Sequence, residues 1–364
     1  MTPSEKKHRV PAVSRTALVL DALTAAGRPC GLAELTALTG APKSSVLGIC
    51  RALTEERLLT RGIDGTYAFG PRLYELASMA RTQSQTVRRV GFTYPENEPF
   101  FLAECRRLGE EARARGIQVD IRCANRSAAN QTNDIADFID AGVDLILVEP
   151  VVSDGLVDVL SKAKAAHITV VAVGSSTAGA DAVVATDNTK AGALAAGLIA
   201  RVLGGKGTVA LVDGIAITAN ADRMSGFLGV MAEYPNMRTV IGAPGALNEE
   251  SGESAAREIL KSGEAIDGIF AANDQIGLGI AKVLAEERKP VPIVAVDGAR
   301  QAVEQILAGG PLIGSAAQDP QRLLSVALEL GVALRSGSGR VQRAVFLPPQ
   351  ILDRNNAKDY ETWG

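Results

Sequence analysis

Apolar residues recur at helical spacing from Val13 to Ala26, at Val13, Ala17, Val19, Leu20 and Leu23, which predicts an amphipathic helix. Gly27-Arg28-Pro29 breaks it. Leu32 to Leu38 form a second, short helix stopped by Gly40. A third begins at Pro42, a residue favoured in the first turn, and runs to about Leu58. Leu59 to Phe69 then read as two short strands around the turn Asp64-Gly65. Arg72 to Val87 predict a connecting helix without Gly or Pro. From Arg89 the rhythm changes to alternating strands and helices. The strand candidates are Val90–Thr93, Val119–Arg122, Leu145–Val148, Thr169–Val173, Val183–Ala185, Thr208–Val212, Val240–Ala243, Ile269–Ala271, Ile293–Val296 and Ile313–Ala316. Between them lie helical faces such as Phe101, Cys105, Leu108 and Ala112, or Ile135, Phe138 and Ile139. This alternation predicts doubly wound parallel sheets. So many strands exceed one small sheet and fit two lobes with a cleft between them.

Three helices, the last two joined by a tight turn, and then a hairpin form the winged helix-turn-helix pattern. Its third helix is the one that enters a DNA major groove. Lys43, Ser44 and Ser45 in its first turn, then Leu47 and Arg51, are the expected contacts. The helix N-terminus adds its own attraction for phosphate. Arg61 and Thr66 on the wing suit backbone or minor-groove contact. Charge supports this placement. Residues 1–89 carry a net +6 and the remainder a net −9, so the overall −3 hides a basic first quarter on an acidic body.

Several stretches here resemble the IclR-type regulators. They are Val10-Pro11-Ala12-Val13-Ser14-Arg15, Leu35-Thr36-Ala37-Leu38-Thr39-Gly40-Ala41-Pro42-Lys43-Ser44-Ser45-Val46, Leu53, Leu58 and Tyr67-Ala68-Phe69-Gly70-Pro71-Arg72-Leu73. The resemblance implies DNA binding. The family usually carries an aromatic residue or His followed by Arg within the recognition helix, where this chain has Leu47-Gly48.

In doubly wound sheets ligands bind beyond the carboxyl ends of the strands. Those ends are polar here: Glu96-Asn97-Glu98-Pro99-Phe100-Phe101, Asp222-Arg223, Asn273-Asp274, Asp297-Gly298 and Gln318-Asp319. Carboxylates, carboxamides and a guanidinium beside an aromatic face suit a polyhydroxylated ligand. Asp274 reads as a helix-start cap. Asp187-Asn188 reads as a crossing between lobes, outside the ligand set.

These segments, with Ala185-Thr186-Asp187-Asn188, Arg223-Met224-Ser225-Gly226-Phe227, Phe270-Ala271-Ala272-Asn273-Asp274 and Ala316-Ala317-Gln318-Asp319-Pro320, resemble the ribose-type periplasmic sugar-binding proteins and LacI-type sensors over about 89–360. The resemblance places Phe101, Arg223, Asn273, Asp297 and Gln318 on ligand-contacting positions. Glu98 stands where Asn is frequent, and Leu247 where an aromatic is frequent. Phe100 and Ser175 complete the expected ligand set. Gly174-Ser175 replaces a common Asp-Arg pair that grips sugar hydroxyls.

The fold class expected is α/β: a two-lobed periplasmic-binding-protein-like domain of doubly wound parallel sheets, preceded by an α+β winged helix-turn-helix domain. The divisions are a DNA-binding domain over 1–77 with a basic N-terminal arm, a linker helix over 78–88, and a sensing domain over 89–364 with crossings near 186, 317 and 338. The function expected is ligand-responsive transcription regulation, as a repressor of a sugar or polyol operon. The partners are operator DNA, a sugar or polyol effector and a second copy in a homodimer or higher homo-oligomer. The alternative is a solute-binding protein for carbohydrate transport.

Composition narrows this further. With 46% hydrophobic and 22% charged residues the chain is an ordinary globular protein. No apolar stretch near Met1 reads as a secretory signal and no run reaches the roughly 18 residues of a membrane span, so a cytoplasmic protein without membrane contact is expected. Cys30, Cys50, Cys105 and Cys123 lack metal-ligand spacing, and His8 and His167 build no triad, so neither metal, cofactor nor enzyme activity is expected. Gly204-Gly205-Lys206-Gly207-Thr208 lacks the order of a phosphate loop, since Gly207 follows the lysine.

Overall fold

The computed structural model describes residues 10–76, 86–242, 246–337 and 341–363. The chain divides into two compact units, Met1–Gln85 and Thr86–Gly364.

The first unit holds α1 (Pro11–Ala26), α2 (Leu32–Thr39), α3 (Lys43–Glu55) and the antiparallel pair β1 (Leu59–Arg61) and β2 (Tyr67–Phe69). Its core is Val19, Leu23, Leu35, Val46, Cys50, Leu53, Leu59 and Tyr67. Gly27 and Gly40 close α1 and α2 in the left-handed conformation at φ 63° and 62°, which favours glycine. Three expectations need correction. Val13 and Ala17 are exposed, and the buried face of α1 runs through Val19, Ala22 and Leu23. Pro42 precedes α3 as its N-cap and is not its first residue. The same helix stops at Glu55, short of Leu58, where Arg57 at φ 61° turns the chain into β1. On the wing, Asp64 Oδ1 accepts from the Thr66 amide at 3.1 Å and its hydroxyl at 2.7 Å, so Thr66 is bound up in the turn. Residues 71–76 are helical, 77–85 lie outside the described residues, and 86–88 are not helical, so the linker helix does not reach Val87.

In the second unit, β3 (Arg89–Tyr94), β4 (Gln118–Cys123), β5 (Leu145–Val148), β6 (Thr169–Val173), β7 (Ala182–Thr186) and β13 (Ala344–Leu347) form a parallel sheet in the order β13-β7-β6-β5-β3-β4. A second sheet has the order β14-β12-β11-β10-β8-β9. It is built from β8 (Lys206–Val212), β9 (Asn236–Ile241), β10 (Gly268–Ala271), β11 (Ile293–Asp297), β12 (Leu312–Ala317) and β14 (Gln350–Asp353), the last antiparallel to β12. Each sheet anchors one lobe. Strands β5, β10 and β11 are buried at every residue, because helices cover both faces of parallel sheets. The intervening helices include α4 (Pro99–Arg115), α5 (Ala128–Asp140), α6 (Val157–Ala165), α7 (Asn188–Val202), α8 (Thr218–Met231), α9 (Glu249–Ser262), α10 (Asp274–Glu286), α11 (Arg300–Ala308) and α12 (Pro320–Ser336).

The chain crosses between lobes three times. The first crossing follows β7 into α7, and the second follows β12 into α12, which packs on α4, β6 and β7 of the first lobe. The third lies at Pro348-Pro349, between β13 and β14. The position near 338 expected for it is wrong, because α12 and β13 flank that stretch within one lobe.

In the second lobe α7 and α8 approach until a Cβ at Gly192 would lie 1.9 Å from the Arg223 carbonyl oxygen, and one at Gly226 1.9 Å from that of Thr189. Only glycine permits this approach, which fixes the first turns of α8 against α7.

Candidate functional site

The lobes meet around a cavity lined by Glu98, Phe100, Phe101, Ser175, Arg223, Leu247, Asn273, Asp297 and Gln318, the nine residues expected from the sequence. From the first lobe, Glu98 is the N-cap residue of α4, and Phe100 and Phe101 occupy its first turn with their rings edge-on at 5.6 Å. From the second lobe, Arg223 projects from α8. It is buried, donating through Nε to Asn188 Oδ1 at 2.8 Å and through Nη1 to the Ala272 carbonyl at 2.7 Å. Its Nη2 faces Asp297 Oδ1 at 3.7 Å. Burial lowers the guanidinium's affinity for its proton, and the surrounding carboxylates oppose that.

Asp297 ends β11 at φ 136°, a conformation costly for a residue with a Cβ. Its Oδ1 accepts from Gln318 Nε2 at 2.6 Å, which ties the second lobe to the crossing after β12. Burial pushes its carboxyl up to about 6. Glu98 is pushed up to about 7, first by burial and then by the nearby Glu96 and Glu249 charges.

Asn273 lines the cavity but also caps α10, its Oδ1 accepting from the Ile276 amide at 3.0 Å and its Nδ2 donating to the Leu247 carbonyl at 3.1 Å. The cap is therefore Asn273. Asp274, read from sequence as the cap, instead accepts from the Ala299 amide and the Ser315 hydroxyl, each at 2.7 Å. Asp187 caps α7 through the Lys190 amide at 3.0 Å, and Asn188 orients Arg223.

At the cleft edge the lobes bond directly. The Ala219 amide donates to Ser175 Oγ at 3.3 Å, the Thr218 amide to Ser153 Oγ at 2.9 Å, and the Ser176 amide to Thr218 Oγ1 at 2.9 Å.

Sequence reasoning missed Glu149, Asn220, Gln275 and Trp363, which also line the cavity. Glu149 directly follows β5, so the strand-end rule could have found it. Trp363 has no local signal. Its ring meets Phe100 edge-on at 5.6 Å, its Nε1 donates to the Asp297 carbonyl at 3.3 Å, and its own carbonyl accepts from Arg106 at 3.3 Å. It thus touches both lobes.

The periplasmic binding protein domain model matches residues 90–339. This chain belongs to the periplasmic binding protein domain family. Residues 12–62 match the IclR helix-turn-helix domain. The family members most similar to it include the ribose import binding protein of Bacillus subtilis, 28% identical over 70% of this chain and 83% of that protein. Another is the xylitol-binding protein of Mycolicibacterium smegmatis, 29% identical over 74% of this chain and 78% of that protein. Among solved structures, a Mycobacterium smegmatis ABC transporter solute-binding protein with bound glycerol superposes with a TM-score of 0.72 at 27% identity, covering 75% of this chain and 96% of that one. Both matched families are binding and regulatory domains. No helix among the described residues is long and apolar enough to cross a membrane.

In the helix-turn-helix unit, Lys43, Ser44 and Arg51 are exposed on α3 and Arg61 on β1, while Leu47 is half-buried. Ser45 is half-buried too, and its hydroxyl accepts from Arg15 at 3.2 Å. This brings a cation from α1 to the start of α3 that the sequence reading had not assigned to this surface.

Proposed function

We propose that this chain represses an operon for uptake or breakdown of a sugar or polyol, binding operator DNA as a homodimer and losing that grip when a small molecule closes the cleft. The observation that carries this reading is the pairing, in one chain, of an exposed basic helix α3 with a two-lobed cavity whose polar groups converge from both lobes and from a crossing between them. A ligand bridging Phe101, Arg223, Asp297 and Gln318 stabilises the closed arrangement, and a dimer passes that choice to two half-sites. Ribose, xylitol and glycerol are the molecules named for the relatives, and a polyol fits the same polar lining. A transport role, the alternative, leaves residues 12–62 without a task.

The DNA side is tested with Lys43→Ala. The variant is expected to bind duplex DNA more weakly on every sequence, with the logarithmic salt slope reduced by about 1, since one phosphate contact is removed. Anisotropy titrations from low to moderate salt measure it. An unchanged slope would remove Lys43 from the interface.

A further inference from the structure

The cavity wall supplied by the first lobe is acidic, and among the described residues it has no cation of its own. Glu98 and Glu149 line it, and at the end of β6 the chain carries Gly174-Ser175. A Cβ built on Gly174 would lie 2.1 Å from Glu149 Oε1. The Glu149 carboxylate therefore occupies the space that a side chain at 174 would need, and the acid reaches the cavity from β5.

Glu149 is 5% exposed and Glu104, on α4 behind it, is wholly buried. Among the described residues, no donor other than the Glu104 carboxyl reaches the buried Glu149 Oε2, and neither Glu104 oxygen has another partner. Burial and the Glu149 charge hold Glu104 protonated, so it donates its proton to Glu149. Burial pushes Glu149 itself up to about 7, so above that pH the pair carries one negative charge, which Glu149 presents to the cavity.

Among the described residues the cation acting on that charge is Arg223, which reaches it through space and makes no hydrogen bond or ion pair with it. It is the one basic side chain among those residues that lines the cavity, and it has Nε on Asn188, Nη1 on the Ala272 carbonyl and Nη2 toward Asp297. Asp297, Asp274, Glu149 and Asp213 all draw on this one guanidinium, so Glu149 has only a share of it. Around Glu98 the charges are Glu96, Glu249 and Arg126, and Arg126 reaches Glu96 at 3.6 Å. A buried carboxylate with only a shared counter-charge is a standing cost, and a charge-assisted hydrogen bond from a cation relieves it more than a neutral hydroxyl does.

We infer that the effector is an amine-bearing polyol or sugar whose ammonium group docks on Glu149 while its hydroxyls meet Arg223, Asp297 and Gln318. This inference rests on the reading of the cleft as a sugar or polyol site and narrows the ligand class.

The test is calorimetry on the full chain with matched neutral and amino compounds: glucose, glucosamine and N-acetylglucosamine, galactose and galactosamine, and glucitol and 1-amino-1-deoxyglucitol. The amino member of at least one set is expected to bind about 10- to 100-fold tighter than its neutral partner, the range of a hydrogen bond to a charged group. N-acetylation, which removes the charge, should abolish the preference. Glu149→Gln should erase it, read as the ratio of amino to neutral affinity in each set, and its melting curve reports folding independently. If neutral members bind as tightly as amino ones, the amine assignment is overturned and the sensor reading stands. If no member of any set binds, the sugar or polyol reading falls and takes this inference with it. Should Glu149→Gln fail to fold, the N-acetyl comparison on the unmodified chain still decides.

Discussion

Arg223→Met should abolish ligand binding and lower the melting temperature of the second unit by about 10 °C. The side chain is buried and serves three partners, Asn188 at the first crossing, the Ala272 carbonyl at the end of β10, and Asp297. Methionine keeps much of the volume but leaves an unpaired buried acid and two unpaired acceptors. Removing one partner of a buried ion pair costs roughly 3–5 kcal/mol, and in a unit of this size each kcal/mol moves the midpoint by about 2–4 °C. Arg223→Lys should not restore binding, because an ammonium cannot reproduce the planar fork that holds three acceptors at once. The close crossing at Gly192 and Gly226 fixes α8 against α7, so the backbone cannot shift to compensate. Differential scanning fluorimetry with calorimetry checks both parts. A variant with an unchanged midpoint would mean that the Asp297 charge is satisfied by other groups.

The second large effect is a rise in thermal stability as pH falls from 8 to about 5.5. Burial holds Glu104, Glu149, Asp274 and Asp297 above the ordinary carboxylate range, Asp297 up to about 6 and the Glu104–Glu149 pair further. In the unfolded chain the same groups titrate near 4. Between those limits the folded chain binds more protons than the unfolded one, so stability declines as pH rises through the window. The penalty is absent below the unfolded values and complete above the folded ones. One pH unit on one such group is worth roughly 1.4 kcal/mol, so the midpoint should climb on the order of 5 °C. Below about pH 4.5 protonation of half-buried paired acids such as Glu253 reverses the trend, because its partners Lys282 and Arg257 hold it low. Glu149→Gln should flatten the slope. Fluorimetry across pH 5 to 8.5 measures it, and a midpoint that rises toward pH 8 would contradict the presence of uncompensated buried acids.

Much of this was legible before the structure. Unbroken apolar runs such as Leu145–Val148 and Ile293–Val296 have no stable place except a sheet covered on both faces, and they sit in the centres of the two sheets. Polar residues directly after such runs were the candidates for the cleft, and Arg223, Asp297 and Gln318 were found in this way or by resemblance, whereas Asp274 turned inward to Ala299 and Ser315. The edge strands β13, Ala344–Leu347, and β14, Gln350–Asp353, escaped notice because each is only four residues long and just the Pro348-Pro349 pair separates them, with no helix between to mark the alternation. Missing them misplaced the third crossing. Asn273-Asp274 offered two plausible caps in succession. Asn273 takes the role because its extended backbone, φ −146°, aims Oδ1 at the Ile276 amide. In α1 apolar residues surround the helix, so its buried face was ambiguous, and Val13 and Leu18 are exposed. Trp363 lies far along the chain from every other residue of the site, and only the tertiary fold brings it to Phe100 and Asp297.

The most direct measurement is fluorescence anisotropy of duplex fragments from the DNA flanking the gene, titrated with the full chain in the presence and absence of saturating ligand from the sugar and polyol panel. The account predicts retention of a specific fragment and an affinity loss of about 5- to 150-fold on adding ligand, the usual span of coupling between two sites. A chain that holds no duplex at any salt concentration, or that holds it equally well with the cleft filled, contradicts it.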